Sequence, residues 1–264
     1  MPLPSFLIVG AQKCGTSTLH RLAAGHPQVF MSVPKELHFF DKRWERGVEW
    51  YAEQFTPSWR HRQLGETTPY YMYDERARSR LVETLPHARI VAILRNPIDR
   101  AYSHYWHDRR VLPDTPSTFE DALTAERNGP FAARASTRGE QATAARKRHH
   151  DSYVDRGHYV DQLEPFGTAY GRSRVHVILL EDLVHDRIGC LRELFTFLEV
   201  RVGPARRSKD RQANPYRERD DSRGNRQVSY PPMAPETRAR LAAYYDPFNQ
   251  RLSAWMGRDL SHWR

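Results

Sequence analysis

The stretch Phe6–Pro27, "FLIVGAQKCGTSTLHRLAAGHP", decides how the rest of the chain is read. It opens with a continuous apolar run that ends at Gly10, the pattern of a strand buried on both faces. It closes with Leu19, Leu22 and Ala23 on one helical face and with Gly25 and Pro27 as a stop. A glycine turn joins the two. Strand, glycine turn and helix form the setting of a phosphate-binding loop, because a helix N-terminus presents N–H groups and a partial positive charge. The usual spelling is G-x-x-x-x-G-K-[ST]. Here Gly10 and Gly15 keep the glycine spacing, Thr16 stands where the lysine belongs, and the lysine is Lys13. The N–H groups of Gly15 to Thr18, with the hydroxyls of Thr16, Ser17 and Thr18, suit an anion. A turn that only packs a helix on a sheet is the alternative.

The same grammar recurs downstream. Ile90–Leu94 is the most apolar strand of the chain, and Pro97 sits where a first helical turn begins, with the helix running through Tyr105. Arg174–Leu183 and "RQLGETTP", the latter ending near Gly65, are further strand candidates. "IGCLRELFTFLEV" reads as a helix with Leu191, Leu194, Phe195 and Leu198 inward, and another helix is expected near Thr118–Arg127. The segment after Pro235 reads as two short helices, with Leu241, Tyr244, Tyr245, Leu252 and Trp255 inward. Strands alternating with helices imply a parallel sheet. The expected fold is α/β: a P-loop-like, three-layer domain with a central parallel β-sheet flanked by helices. It is one domain over 1–264, with 112–155 as an insertion or lid and 203–232 as a loop for cofactor or substrate.

The chain has 264 residues, with 41 Lys plus Arg against 32 Asp plus Glu, a formal charge of +9. Such a balance suits polyanions, phosphorylated cofactors or an arginine-rich solvated surface. Two cysteines, Cys14 and Cys190, point to a reducing compartment rather than a structural disulfide. No apolar run approaches the ~18 residues of a membrane span, and the N-terminus lacks the basic start of a signal peptide. A soluble, cytoplasmic protein is expected. No motif points to nucleic acid, and none sets an oligomeric state.

Two more segments carry candidate chemistry. "PKELHFFD" (Pro34–Asp41) places Lys35, Glu36, His38 and Asp41 beside two aromatics. Extended, it would turn Glu36 and His38 to one side, where a carboxylate and an imidazole suit general acid–base work; a polar strand edge is the alternative. In "LRNPIDRAYSHY", Arg95 ends the apolar strand and Ser103 lies about two turns into the helix. Ligands of parallel sheets bind beyond the carboxyl ends of strands, so Arg95 is placed to fork a phosphate, or else to pair with Asp99.

In this order and spacing the three segments resemble sulfotransferases that use 3′-phosphoadenosine 5′-phosphosulfate, above all the heparan sulfate branch (3-O- and N-sulfotransferases). "VGAQKCGTSTL" resembles that family's 5′-phosphosulfate loop, which puts Lys13, Cys14, Gly15, Thr16, Ser17 and Thr18 on the cofactor. "KELHFFD" resembles the segment whose catalytic base falls on Glu36, with His38 and Asp41 following. "LRNPIDRAYSHY" resembles the 3′-phosphate motif, whose arginine and serine fall on Arg95 and Ser103. "GVEWYAEQF", "LGETTPYYM" and the C-terminal "YPP…GRDLSHW" extend the likeness to most of the chain outside the middle insertion. Thr67 stands where the heparan enzymes have a substrate-facing lysine, and Ser17 departs from their usual residue. "SRGNR" loosely echoes their late cofactor loop, which assigns Arg223, Gly224 and Arg226 to the cofactor.

The resemblance implies in-line sulfuryl transfer to a hydroxyl, or an amine, with Glu36 as base, Lys13 stabilising the departing 3′-phosphoadenosine 5′-phosphate, and His38 orienting Glu36 or touching the acceptor. No metal is required on this reading. The lysine would have left the ATP position because the bond broken joins phosphate to sulfate. The implied protein is a stand-alone bacterial member acting on a glycan or a small-molecule acceptor, with Lys35, Asp41, Thr67, Tyr70 and Trp106 toward that acceptor. Trp44, Trp50 and Tyr71 are further candidate walls. The competing readings are a P-loop small-molecule kinase using ATP and Mg²⁺, and a non-catalytic module that binds polyanions.

Overall fold

The computed structural model describes residues 2–128, 152–202, 217–218, 226–227 and 230–264. They divide into two compact units, one made of 1–95 and 161–214, the other of 96–160 and 215–264. The first unit holds a five-stranded, wholly parallel sheet in the order β2-β3-β1-β4-β5. Its strands are β1 (Phe6–Ile8), β2 (Val29–Met31), β3 (Gln63–Thr67), β4 (Arg89–Leu94) and β5 (Val175–Leu179). The helices of its first part are α1 (Thr16–Ala24), α2 (Phe39–Lys42), α3 (Gly47–Glu53), α4 (Tyr70–Tyr73) and α5 (Glu75–Thr84). The parallel α/β fold expected from the alternating pattern is the one observed.

The central strands are apolar on both faces because helices cover both. Phe6, Leu7, Ile8 and Ile90 to Leu94 are all fully buried, and each such large side chain contributes roughly 1.5–3 kcal/mol relative to exposure. Register then sets the functional edge. Ile8 lies opposite both Thr67 and Val91, and Met31 lies opposite Gly65. The carboxyl ends of β1, β2 and β3 therefore finish together, and each releases a segment singled out in the sequence. Connections leave β1 toward β2 on one side while β4 lies on the other, which makes this edge a topological switch point.

Local chemistry explains most boundaries. Asp74 caps α5, accepting the Ala77 N–H at 2.8 Å. In α6 (Pro97–Val111), Pro97 occupies the first turn, as expected, and the Asn96 side chain accepts the Ile98 N–H at 2.9 Å. Two expectations shift. The Arg174–Leu183 strand is β5, which ends at Leu179 because Leu180 begins a helix (Leu180–His185) with Glu181 and Asp182 in its first turn. The helix after it is Arg187–Phe197, close to the reading. The C-terminal segment is one helix, Pro235–Met256, not two. Pro247 removes one backbone donor, but Leu241, Tyr245, Asn249 and Leu252 keep a single buried face on both sides of it.

The second unit packs α6, α7 (Phe119–Asn128) and that C-terminal helix around Ile98, Ala101, Tyr105, Phe119, Leu123, Tyr153, Leu241 and Tyr245. The helix expected near Thr118–Arg127 is α7. Within this unit the Glu126 carboxylate accepts the N–H groups of Val154 and Asp155 at 2.8–3.0 Å. Burial pushes its carboxyl up to about 7, against those bonds. The rest of the expected insertion, 129–151, lies outside the described residues, as does most of 203–232. Within the latter, Arg217–Glu218 and Arg226–Gln227 pair as a short antiparallel ribbon. Among the described residues no helix is long and apolar enough to cross a membrane.

Candidate active site

The glycine loop leaves β1 at Val9, whose N–H is held by the Val91 carbonyl at 2.9 Å. Gly10 is required there because a Cβ would enter the backbone of Ile93 on β4. Gly15 is required for its backbone, φ 90°, and it caps α1 without a side-chain hydrogen bond. The first turn of α1 contains no acidic residue. No side chain of the cap and no acidic residue of the first turn therefore answers the partial positive charge of this helix start. Lys13 also takes a left-handed conformation, φ 72°. Left-handed residues at Lys13 and Gly15 curl the loop, and loops of this shape turn successive N–H groups inward.

The "KELHFFD" segment is held in an unusual shape. Glu36 and His38 both have positive φ, 64° and 51°. Non-glycine residues there carry strain of order 1–3 kcal/mol, and such strain gathers at functional sites. The extended geometry expected from the sequence is thus replaced by a tight double bend, and His38 becomes the residue that precedes α2. The bend still brings the side chains together. His38 Nδ1 lies 2.8 Å from Asp41 Oδ2, and His38 Nε2 lies 3.5 Å from Glu36 Oε2. On its other oxygen, Glu36 accepts the Lys35 ammonium. The Asp41 side chain is almost fully buried, whereas that of Glu36 is 39% exposed.

These neighbours set the charges. Burial alone would raise the Glu36 carboxyl, but the His38 hydrogen bond and Lys35 outweigh it and hold the group down to about 2. Burial alone would lower His38, but the hydrogen bonds to Asp41 and Glu36 outweigh it and raise the imidazole above its ordinary value. At neutral pH Glu36 is ionised, and the imidazole beside it keeps its proton to a higher pH than a free histidine does.

The glycine loop and this segment meet through α1. His20, two turns beyond Gly15, bonds the Thr67 hydroxyl through Nδ1 at 3.0 Å, and the Thr67 carbonyl accepts the Glu36 N–H at 3.0 Å. Burial, then Lys35, lowers His20 to about 4, against Glu36, so the ring is neutral. The helix that follows the glycine loop and the candidate base are thus joined by hydrogen bonds through Thr67 at the carboxyl edge of the sheet.

A sulfotransferase-domain family model matches residues 3–222. The chain belongs to the sulfotransferase family. It is 28% identical to a sulfotransferase from Alicyclobacillus acidocaldarius, whose crystal structure superposes with a TM-score of 0.76 over 100% of both chains. It is 26% identical to heparan sulfate glucosamine 3-O-sulfotransferase 3B1 of Mus musculus across 97% of this chain and 64% of that one. It is 33% identical to the membrane-associated sulfotransferase kil1 of Dictyostelium discoideum across 47% of this chain and 28% of that one. The chain thus spans less than two thirds of the length of these curated relatives.

Within this sulfotransferase fold the remaining predicted residues fall as follows. Thr67 is fully buried and turned to His20. Arg95 follows β4 directly, in the sheet-bearing unit. Ser103 lies half-buried on α6 and belongs to the second unit, where Asp99 pairs with Arg238. Trp106 stacks on Tyr230 with ring centroids 5.9 Å apart. Tyr70 sits half-buried on α4 beside Tyr73, and Tyr71 is fully buried. Arg223 and Gly224 lie outside the described residues, and Arg226 is placed in its short strand by backbone alone. Sequence reasoning missed His20, Glu66 and Thr68. The available signal was a charged residue, Glu66, in a five-residue strand that is buried throughout.

Proposed function

We propose that this sulfotransferase moves a sulfuryl group from 3′-phosphoadenosine 5′-phosphosulfate to a hydroxyl of a glycan or a small-molecule acceptor. The observation that carries the reading is the chain Lys35–Glu36–His38–Asp41, joined through Thr67 to His20 on α1, the helix that the glycine loop begins. Glu36 takes the acceptor proton as the new S–O bond forms. A carboxylate held near 2 binds a proton weakly, so an acceptor hydroxyl that displaces Lys35 from Oε1 strengthens the base as it arrives. His38, steadied by Asp41, keeps the other oxygen oriented.

The donor set of the loop suits the cofactor's phosphosulfate end: an uncapped helix start, three hydroxyls, and a lysine on the loop shoulder. The cofactor supplies an activated sulfuryl group on a good leaving phosphate. Lys13 meets the charge that develops on the bridging oxygen, and Arg95 takes the 3′-phosphate. Incubation with ³⁵S-labelled cofactor and a panel of hydroxyl acceptors in EDTA tests the reading. Label transfer with a mass gain of one sulfate is expected. A requirement for ATP and Mg²⁺, with gain of a phosphate, would identify a kinase instead.

A further inference from the structure

Glu66 is the largest unexplained charge in the sheet-bearing unit. It sits in β3, is fully buried, and is bonded by three hydroxyls. Tyr51 donates to Oε2, while Thr68 at 2.6 Å and Tyr71 at 2.9 Å both donate to Oε1. Burial pushes its carboxyl above the ordinary range, against those bonds. A carboxylate this deep is costly, and replacing such a group together with its polar partners by packed apolar residues is often neutral or stabilising. Stability alone is therefore a weak reason for it.

What the two Oε1 hydroxyls hold supplies a stronger one. Tyr71 accepts the Phe39 N–H at 2.7 Å and the Phe40 N–H at 3.4 Å. Thr68 Oγ1 lies 3.5 Å from the His38 N–H. The preceding Thr67 carbonyl takes the Glu36 N–H. The backbone donors of Glu36, His38 and Phe39 all end on the segment Thr67–Tyr71. Each hydroxyl can accept a backbone N–H in a fixed direction only because its own proton is committed to Glu66.

We propose that Glu66, acting through Tyr71 and Thr68, is a positioning residue that locks the strained left-handed turn presenting Glu36 and His38. The lock offsets the strain of two positive-φ residues and fixes the distance between imidazole and carboxylate. This rests on the reading of Glu36 as the base, although the geometry of the lock does not.

Tyr51 provides an internal comparison. Tyr51→Phe and Tyr71→Phe each remove one hydroxyl from Glu66, but only Tyr71→Phe releases backbone donors of the Glu36–Phe39 turn. Four readouts are taken on each variant: turnover at saturating cofactor, affinity for 3′-phosphoadenosine 5′-phosphate, the unfolding midpoint, and the titration of His38 in ¹H–¹⁵N spectra, its signal assigned by loss in His38→Asn. The charged groups facing His38 are Glu36, Asp41, Lys42 and, from β3, Glu66. Tyr71→Phe is expected to cut turnover about 10²-fold, the scale of a misplacement near 1 Å. Affinity for 3′-phosphoadenosine 5′-phosphate should stay unchanged, and His38 should titrate closer to its ordinary range. Tyr51→Phe is expected to leave turnover and titration as in the parent. Equal effects of the two, or a Tyr71→Phe change confined to the unfolding midpoint, would overturn the proposal. Should Tyr71→Phe not fold, Thr68→Val removes the other arm with its shape kept and carries the same test. If the parent shows no sulfuryl transfer, the functional reading fails, while the His38 titration still decides the lock.

Discussion

Glu36 and Glu66 are carboxylates on two segments that hydrogen bonds join, yet their surroundings are opposite. Glu36 is partly exposed and answered by charges, the Lys35 ammonium and the His38 ring, so its carboxyl is held down to about 2. Glu66 is fully buried and answered by three hydroxyls, and burial drives its carboxyl up. The difference assigns the labour. A carboxylate that reaches solvent beside charged partners can exchange a proton with an incoming molecule. A carboxylate sealed among hydroxyls can only set directions. Environment, not residue type, separates the two roles.

Substitution sharpens this contrast most in stability. Glu66→Leu strands three buried hydroxyls, each costing about 1–3 kcal/mol when left unpaired, so a loss of several kcal/mol in urea unfolding is expected. Glu36→Gln, at a partly exposed position whose ion pairs to Lys35 and His38 are screened by solvent, should cost no more than about 1 kcal/mol. If the two substitutions cost the same, the division into working and supporting carboxylates is wrong.

The next effect concerns acid. The depressed Glu36 contributes stability above its unfolded value of 4.5 that is lost only as the pH falls through about 2. His20 behaves differently. Its folded value of about 4 lies below the unfolded 6.5. The unfolded chain therefore takes up a proton that the folded one refuses, and stability falls as pH drops from 6.5 to 4. The fall for His20 is on the order of 3 kcal/mol. His176, lowered to about 4 by burial and Arg172, adds in the same direction. Glu126, raised to about 7, acts in the opposite direction over the same range, so the test is the difference between the two proteins: from pH 7 to 4 the unfolding midpoint of the parent should fall relative to that of His20→Gln. Identical slopes would remove His20 from the account.

The legible part of the molecule was whatever local pattern controls. The glycine spacing at Gly10 and Gly15 and the run Ile90–Leu94 announced a parallel sheet with an anion loop at its edge. Lys13, Glu36, His38 and Asp41 could be named because they crowd a few positions. Their conformation could not, since positive φ at Glu36 and His38 is imposed by partners from the 67–71 segment. β2 is three residues long, too short for periodicity to register. The C-terminal helix was split in reading because Pro247 is a strong local breaker that the buried face overrides. Tyr71 was read as a possible wall for the acceptor because an aromatic carries no mark of which way its hydroxyl points. Glu66 and His20 went unnoticed because their meaning lies in contacts between distant segments.

The account turns on Glu36 as the base. The most direct measurement compares Glu36→Gln with the parent in the same preparation, recording turnover with ³⁵S-labelled cofactor and affinity for 3′-phosphoadenosine 5′-phosphate by calorimetry. A loss of about 10²–10⁴-fold in turnover with unchanged affinity is predicted. Turnover close to the parent's would contradict the assignment.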